Sequence, residues 1–219
     1  MPGWTWLQNE LDKPDQRSAR MRYVSIDIET LGLYPDSCDV IEFGAVIDDL
    51  ETPLDKLPRF HSYVTRPDNL YKGDAYAMSM HPVILRRIAT REAGYTYTPW
   101  DLLSEVFDRW LDEQNMHDKI VVAGKNFMGF DMRFLRRLNF GKQVKISHRA
   151  LDPGSMFFDP KIDKVPPSTD ECYKRAGMDI PVAHTAVEDA LGVVQLIRYF
   201  TKYRRFVFLS PPNLDKLDG

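Results

Sequence analysis

The segment RYVSIDIE (22–29) sets Asp27 and Glu29 two residues apart in a run that is otherwise mostly apolar and β-branched. Such a run reads as a buried strand, and side chains two apart on a strand share a face. Two carboxylates on one buried face repel and raise each other's pKa unless a cation sits between them. The pair therefore admits two arrangements. Either the two acids share a cation, or one is exposed at the strand end while the other caps the turn chemistry of Gly32, Pro35, Asp36 and Ser37.

The surrounding pattern sets the fold class. DVIEFGAVID (39–48) reads as a second strand with Gly44 as a bulge, and RFHSYVTRP (59–67) as a third, closed by Pro67. These three are expected to form an antiparallel meander. PVILRRIATRE (82–92) reads as a helix with Pro at N1. TPWDLLSEVFDRWLDEQ (98–114) reads as another, with Thr98 as N-cap. IVVAG (120–124) is a buried strand, and GFDMRFLRRLNF (129–140) a helix ended by Gly141. Capping boxes at Ser168/Glu171 and Thr185/Glu188 open two more, the second running over 186–205. The expectation is α/β: a mixed sheet, an antiparallel meander plus parallel strands, with helices on both faces. It is RNase H-like rather than doubly wound, since neither GxGxxG nor GxxxxGK[ST] occurs.

With 219 residues the chain suits one α/β domain, taken as 21–206, between an N-terminal arm (1–20, with Trp4 and Trp6) and a C-terminal tail (207–219). No apolar run reaches the roughly 20 residues of a membrane span, and the N-terminus lacks the pattern of a secretory signal. Two cysteines outside any CxxC pattern suit a reducing compartment and make a structural zinc improbable. A cytoplasmic location is expected, or the host cytoplasm for a phage-encoded chain. The net charge of −3 does not itself suggest a nucleic-acid binder. Between Lys125 and Arg149, however, seven Lys or Arg face a single acid, a patch suited to a phosphate backbone or to an ordinary solvated helix face.

That single acid is Asp131, in the first turn of a helix leaving a buried strand. Asp189 opens the long C-terminal helix, with His184 just before it. Acids in a first turn complement the helix dipole without further purpose. Beside a metal site they gain another role, and a neutral imidazole can take a proton from water at neutral pH. Hard oxygen ligands of this kind select Mg²⁺ or Mn²⁺.

Taken in order, the motifs resemble the DEDDh branch of the DEDD superfamily of 3′–5′ exonucleases. The residues that carry the likeness are Asp27-Ile28-Glu29-Thr30 with Leu31-Gly32, Asn126-x-x-x-Phe130-Asp131, and His184-Thr185-Ala186-x-x-Asp189. The spacing of the second motif is similar to oligoribonuclease, and the third to the proofreading and RNase T branch. The resemblance implies two divalent ions, Mg²⁺ or Mn²⁺, held by Asp27, Glu29, Asp131 and Asp189, with His184 as general base. It implies that Thr30, Leu31, Gly32, Asn126 and Phe130 receive the terminal nucleotide. The substrate implied is single-stranded RNA or DNA with a free 3′ end, RNA or short oligoribonucleotides placed slightly ahead, and the protein a possible homodimer. A proofreading-type exodeoxyribonuclease is one alternative. Others are a non-catalytic nucleic-acid or polymerase-binding module, and a nuclease fold acting on a dinucleotide or small phosphate ester.

Overall fold

The computed structural model describes residues 21–179 and 185–209, with side chains through Tyr203. Six strands form one mixed sheet: β1 (Tyr23–Thr30), β2 (Val40–Asp48), β3 (Arg59–Thr65), β4 (Tyr97–Pro99), β5 (Ile120–Ala123) and β6 (Ile146–Leu151). Their order across the sheet is β4-β3-β2-β1-β5-β6. The β1–β2–β3 meander is antiparallel; β5, β6 and the short β4 add in parallel.

The helices are α1 (Ala75–Met80), α2 (Pro82–Thr90), α3 (Leu103–Glu113), α4 (Asp131–Leu135), α5 (Pro153–Met156), α6 (Thr169–Arg175) and α7 (Ala186–Leu209). Strand parity decides what each face meets. Val24, Ile26 and Ile28 of β1 and Phe43, Ala45 and Ile47 of β2 pack on one side against Leu103, Phe107 and Leu111 of α3 and Phe134 of α4. Tyr23 and Val46 point the other way, onto Ala190, Val193, Val194 and Ile197 of α7. A third cluster, Leu31, Ile41, Tyr63, Ile84 and Ile88, seats α2. The α/β architecture, with its mixed sheet covered on both faces, agrees with the sequence pattern.

Several boundaries differ from that pattern. Thr98 is no N-cap: Tyr97–Pro99 pairs with β3, Thr98 is buried, and its hydroxyl meets Ser62 Oγ at 2.7 Å. A proline is tolerated there because β4 is an edge strand. The helix expected over 129–140 is short, passing at Arg136–Leu138 into a 3₁₀ turn that ends where Asn139 adopts φ 65°. Gly44 is not a bulge. It pairs in register with Asp27, and the irregularity lies at Glu29/Thr30. The Ser168 cap is present, with Glu171 N–H donating to Ser168 Oγ at 3.2 Å. The Thr185/Glu188 box is not: among the described residues Thr185 Oγ1 is buried without a hydrogen-bond partner, and Glu188 pairs with Arg59. Helix α1 buries none of its residues; Asp74 caps it, accepting from Ala77 N–H at 2.8 Å. The arm (1–20) and the residues beyond 209 lie outside the described residues, and α7 itself runs past the boundary read at 206.

Phe107 is the hub of the larger core, its ring centroid 4.8 Å from Phe43, 5.3 Å from Phe60 and 5.5 Å from Trp110. Phe107→Ala is expected to cost about 3–5 kcal/mol, as truncation of a buried aromatic does. Urea unfolding followed by circular dichroism measures it; a loss under 1 kcal/mol would contradict this packing.

Candidate active site

Asp27 and Glu29 occupy the β1 face that meets α7, in line with Tyr23, as alternation along a strand requires. Opposite Asp27 stands Gly44. A Cβ on Gly44 would come within 2.2 Å of Val187 N and 2.3 Å of the Ala186 carbonyl carbon, so only glycine lets the first turn of α7 lie on the sheet there. That approach delivers Asp189. Ligand oxygens of Asp27, Glu29 and Asp189 all lie within 4.8 Å of one another. Asp131 enters from the start of α4, just beyond β5, and is buried. The backbone N–H groups of Ile28 and of Asp131 itself donate to its carboxylate.

The electrostatics follow from burial first and from this crowding second. Burial holds the Asp27 carboxyl well above its ordinary range, and the charges of Asp131, Glu29, Asp189 and Glu42 add to the shift. Glu29 is pushed up to about 8, by burial first and then by Asp189, Glu42 and Asp131. Burial raises Asp131 to about 7 against the opposing effect of its two backbone donors. Carboxylates brought this close together form the donor set that a hard divalent cation satisfies. The residues thus fit a metal: neither Asp27 nor Glu29 is exposed at the strand end, and both stand with Asp189 on the face that meets α7.

His184 lies outside the described residues. Thr30 is buried, its hydroxyl donating to the Gly32 carbonyl at 2.8 Å. Leu31 follows in the same turn. Its side chain is fully buried among Ile41, Tyr63, Ile84 and Ile88, its N–H donates to Asp39 O and its carbonyl accepts from Asp74 N–H. The packing of α2 over this turn makes Leu31 part of the core. Gly32, at φ 149°, shapes that turn. Asn126 is exposed, in the left-handed region at φ 53°, and its carbonyl accepts from Gly129 and Phe130 N–H. Phe130 is half-buried with its centroid 5.2 Å from Phe134. In the basic stretch Arg133, Arg136, Arg137, Lys142, Lys145 and Arg149 are exposed.

Three groups at the site were not singled out by motif. His81, between α1 and α2, brings Nε2 to 3.6 Å from Glu29 Oε2; nothing local in the sequence marks it. Tyr173 of α6 is buried with its hydroxyl over Gly192, where a Cβ would lie 1.8 Å from it. Burial raises this phenol to about 12, assisted by Asp189. Glu42, buried on β2 directly opposite Glu29, was the readable one: a lone acid inside an apolar strand.

The fold recurs in solved structures. Apo exonuclease I superposes with a TM-score of 0.59 at 13% identity, over 87% of this chain and 44% of that one. The nuclease domain of 3′hExo, a DEDDh family member bound to rAMP, gives 0.64 at 15% identity, over 85% of this chain and 94% of that one. The chain has the RNase H-like fold of these exonucleases. A zinc-bound E. coli exonuclease I complex with single-stranded DNA gives 0.61 at 14% identity, over 86% of this chain and 42% of that one. The chain thus spans less than half the length of the exonuclease I structures it matches. No protein-family model matches the sequence, and no curated protein does.

The raised acids fix a pH dependence. Between their ordinary values of 3.8–4.5 and about 8, the native protein binds more protons than the unfolded chain. Metal-free stability is therefore full at the acid end of this window and lost as pH rises through 7–8. Melting in EDTA should give a lower Tm at pH 8.5 than at pH 5.5, with Mn²⁺ restoring most of the difference. Asp27→Asn should raise the metal-free Tm at pH 8.5 and remove the response to Mn²⁺; a Tm that climbs with pH in EDTA contradicts the assignment.

Proposed function

We propose that the chain is a metal-dependent 3′–5′ exonuclease that cuts single-stranded nucleic acid to 5′-mononucleotides. The observation that carries this reading is the convergence of Asp27, Glu29 and Asp189, from a strand and a distant helix, within 4.8 Å on an exonuclease fold. Asp27, Glu29 and Asp189, with Asp131 beside them, would hold two divalent ions, Mg²⁺ or Mn²⁺. Bound there, such ions polarise the phosphodiester and stabilise charge on the attacking and leaving oxygens.

The chain's own residues do the rest. His184 takes the proton of the attacking water; a P–O bond forms as the P–O3′ bond breaks. The shortened strand keeps a 3′-hydroxyl and the released nucleotide a 5′-phosphate. Asn126 and Phe130, at the turn leading into Asp131, contact the terminal sugar and base. The exposed arginines and lysines between Arg133 and Arg149 attract the phosphate backbone. RNA stands slightly ahead of DNA on the spacing of the second motif. The exodeoxyribonuclease reading is favoured by the likeness to exonuclease I, solved with single-stranded DNA.

The test is a 3′-labelled strand of each polymer with Mg²⁺, Mn²⁺ or EDTA. Mononucleotides are expected with metal and none with EDTA. Asp27→Ala should fall to background, and His184→Ala should slow release by roughly 10²–10⁴-fold. No metal-dependent release from either polymer would falsify the reading.

A further inference from the structure

Glu42 is 1% exposed and directly opposite Glu29 in the β1–β2 register, an unfavourable place for a second acid unless its charge is used. Both its oxygens are engaged. His61 of β3, diagonal to it across the strand pair, donates from Nε2 to Oε1 at 2.6 Å. The Ala186 N–H donates to Oε2 at 3.3 Å. Ala186 opens α7, and its N–H is among the first-turn donors that no intrahelical carbonyl can satisfy. The residue before it gives no substitute, since Thr185 Oγ1 has no hydrogen-bond partner among the described residues. The cap of α7 therefore comes from the neighbouring strand, as a carboxylate aligned with the positive end of the helix dipole.

The same first turn carries Asp189, whose N–H donates to Thr185 O at 2.9 Å. On β2, Glu42 holds this turn down and Gly44 clears the space beneath it. On β1, the partners of these two residues are Glu29 and Asp27. The geometry points to Glu42, buttressed by His61, as the positioning residue that sets Asp189 at metal-binding distance from Asp27 and Glu29. Glu42 acts through Asp189 and is not itself a ligand: its oxygens are taken by His61 and Ala186, and the close group comprises the other three carboxylates. The inference rests on the metal-site reading above, and not on which polymer is cut.

Mn²⁺ binding by titration calorimetry tests it apart from catalysis. Glu42→Gln leaves one acceptor oxygen for two donors. It should weaken Mn²⁺ roughly 10–100-fold, the usual loss on removing a group that orients a ligand, with unchanged stoichiometry and a native circular dichroism spectrum. The Mn²⁺ concentration for half-maximal activity should rise in parallel. His61→Leu, at a half-exposed position where misfolding is a smaller risk, should weaken Mn²⁺ in the same direction. His61→Gln, which keeps a donor, should restore most of the affinity. A folded Glu42→Gln, or failing that His61→Leu, that binds Mn²⁺ like the wild type overturns the inference. So does the loss of one ion from the stoichiometry, which would make Glu42 a ligand. Wild-type protein that binds Mn²⁺ yet releases no nucleotide overturns the exonuclease reading alone. Wild-type protein that binds no Mn²⁺ overturns both.

Discussion

The burial of carboxylates beside one another is the constraint around which this structure is arranged. Asp27, Glu29, Asp131 and Asp189 come together where burial already disfavours charge, and the first three are held above their ordinary pKa as a result. A chain that merely folded would keep such groups apart or in water. Holding them together costs stability in the absence of a cation, and the rest of the domain offsets that cost.

The offset is visible in how α7 is fastened. Its apolar stripe, Ala190, Val193, Val194 and Ile197, packs on Tyr23 and Val46. Farther along, Arg198 grips Asp48 through both carboxylate oxygens and reaches Thr52 O at 2.6 Å, while Tyr23 donates to Asp48 at 2.6 Å. At its start, Glu42 receives the Ala186 N–H. Strand β2 thus supplies a polar anchor at two places along the helix, with Gly44 between them. The helix is fastened to the strand next to the one that carries the acids. The position of Asp189 is a consequence of sheet register as much as of its own sequence.

Much of this was legible from local pattern. The strands β1, β2, β3 and β5 and the helices α2, α6 and α7 follow from apolar periodicity and punctuation by Gly, Pro and capping residues. What failed to read locally failed for physical reasons. Tyr97–Pro99 looked like a helix start because Thr-Pro is a common cap, but parallel pairing with β3 and the Thr98–Ser62 contact outweighed that preference. Thr185/Glu188 has the spelling of a capping box, yet a carboxylate from β2 occupies that role. Leu31 belongs to a motif turn, and only the packing of α2 over it shows that it is core.

The sequence by itself determined the residue types, their spacing and their strand parity. Asp27 and Glu29 must share a face, and Asp131 and Asp189 must open helices, because backbone geometry imposes periods of 2 and 3.6 within any short segment. Which of these acids meet was decided by tertiary structure. Their convergence depends on the β1–β2 register, on the absence of a side chain at Gly44 and on a cap from Glu42. Contacts between residues so far apart along the chain are settled by packing and sheet pairing, which no local pattern encodes.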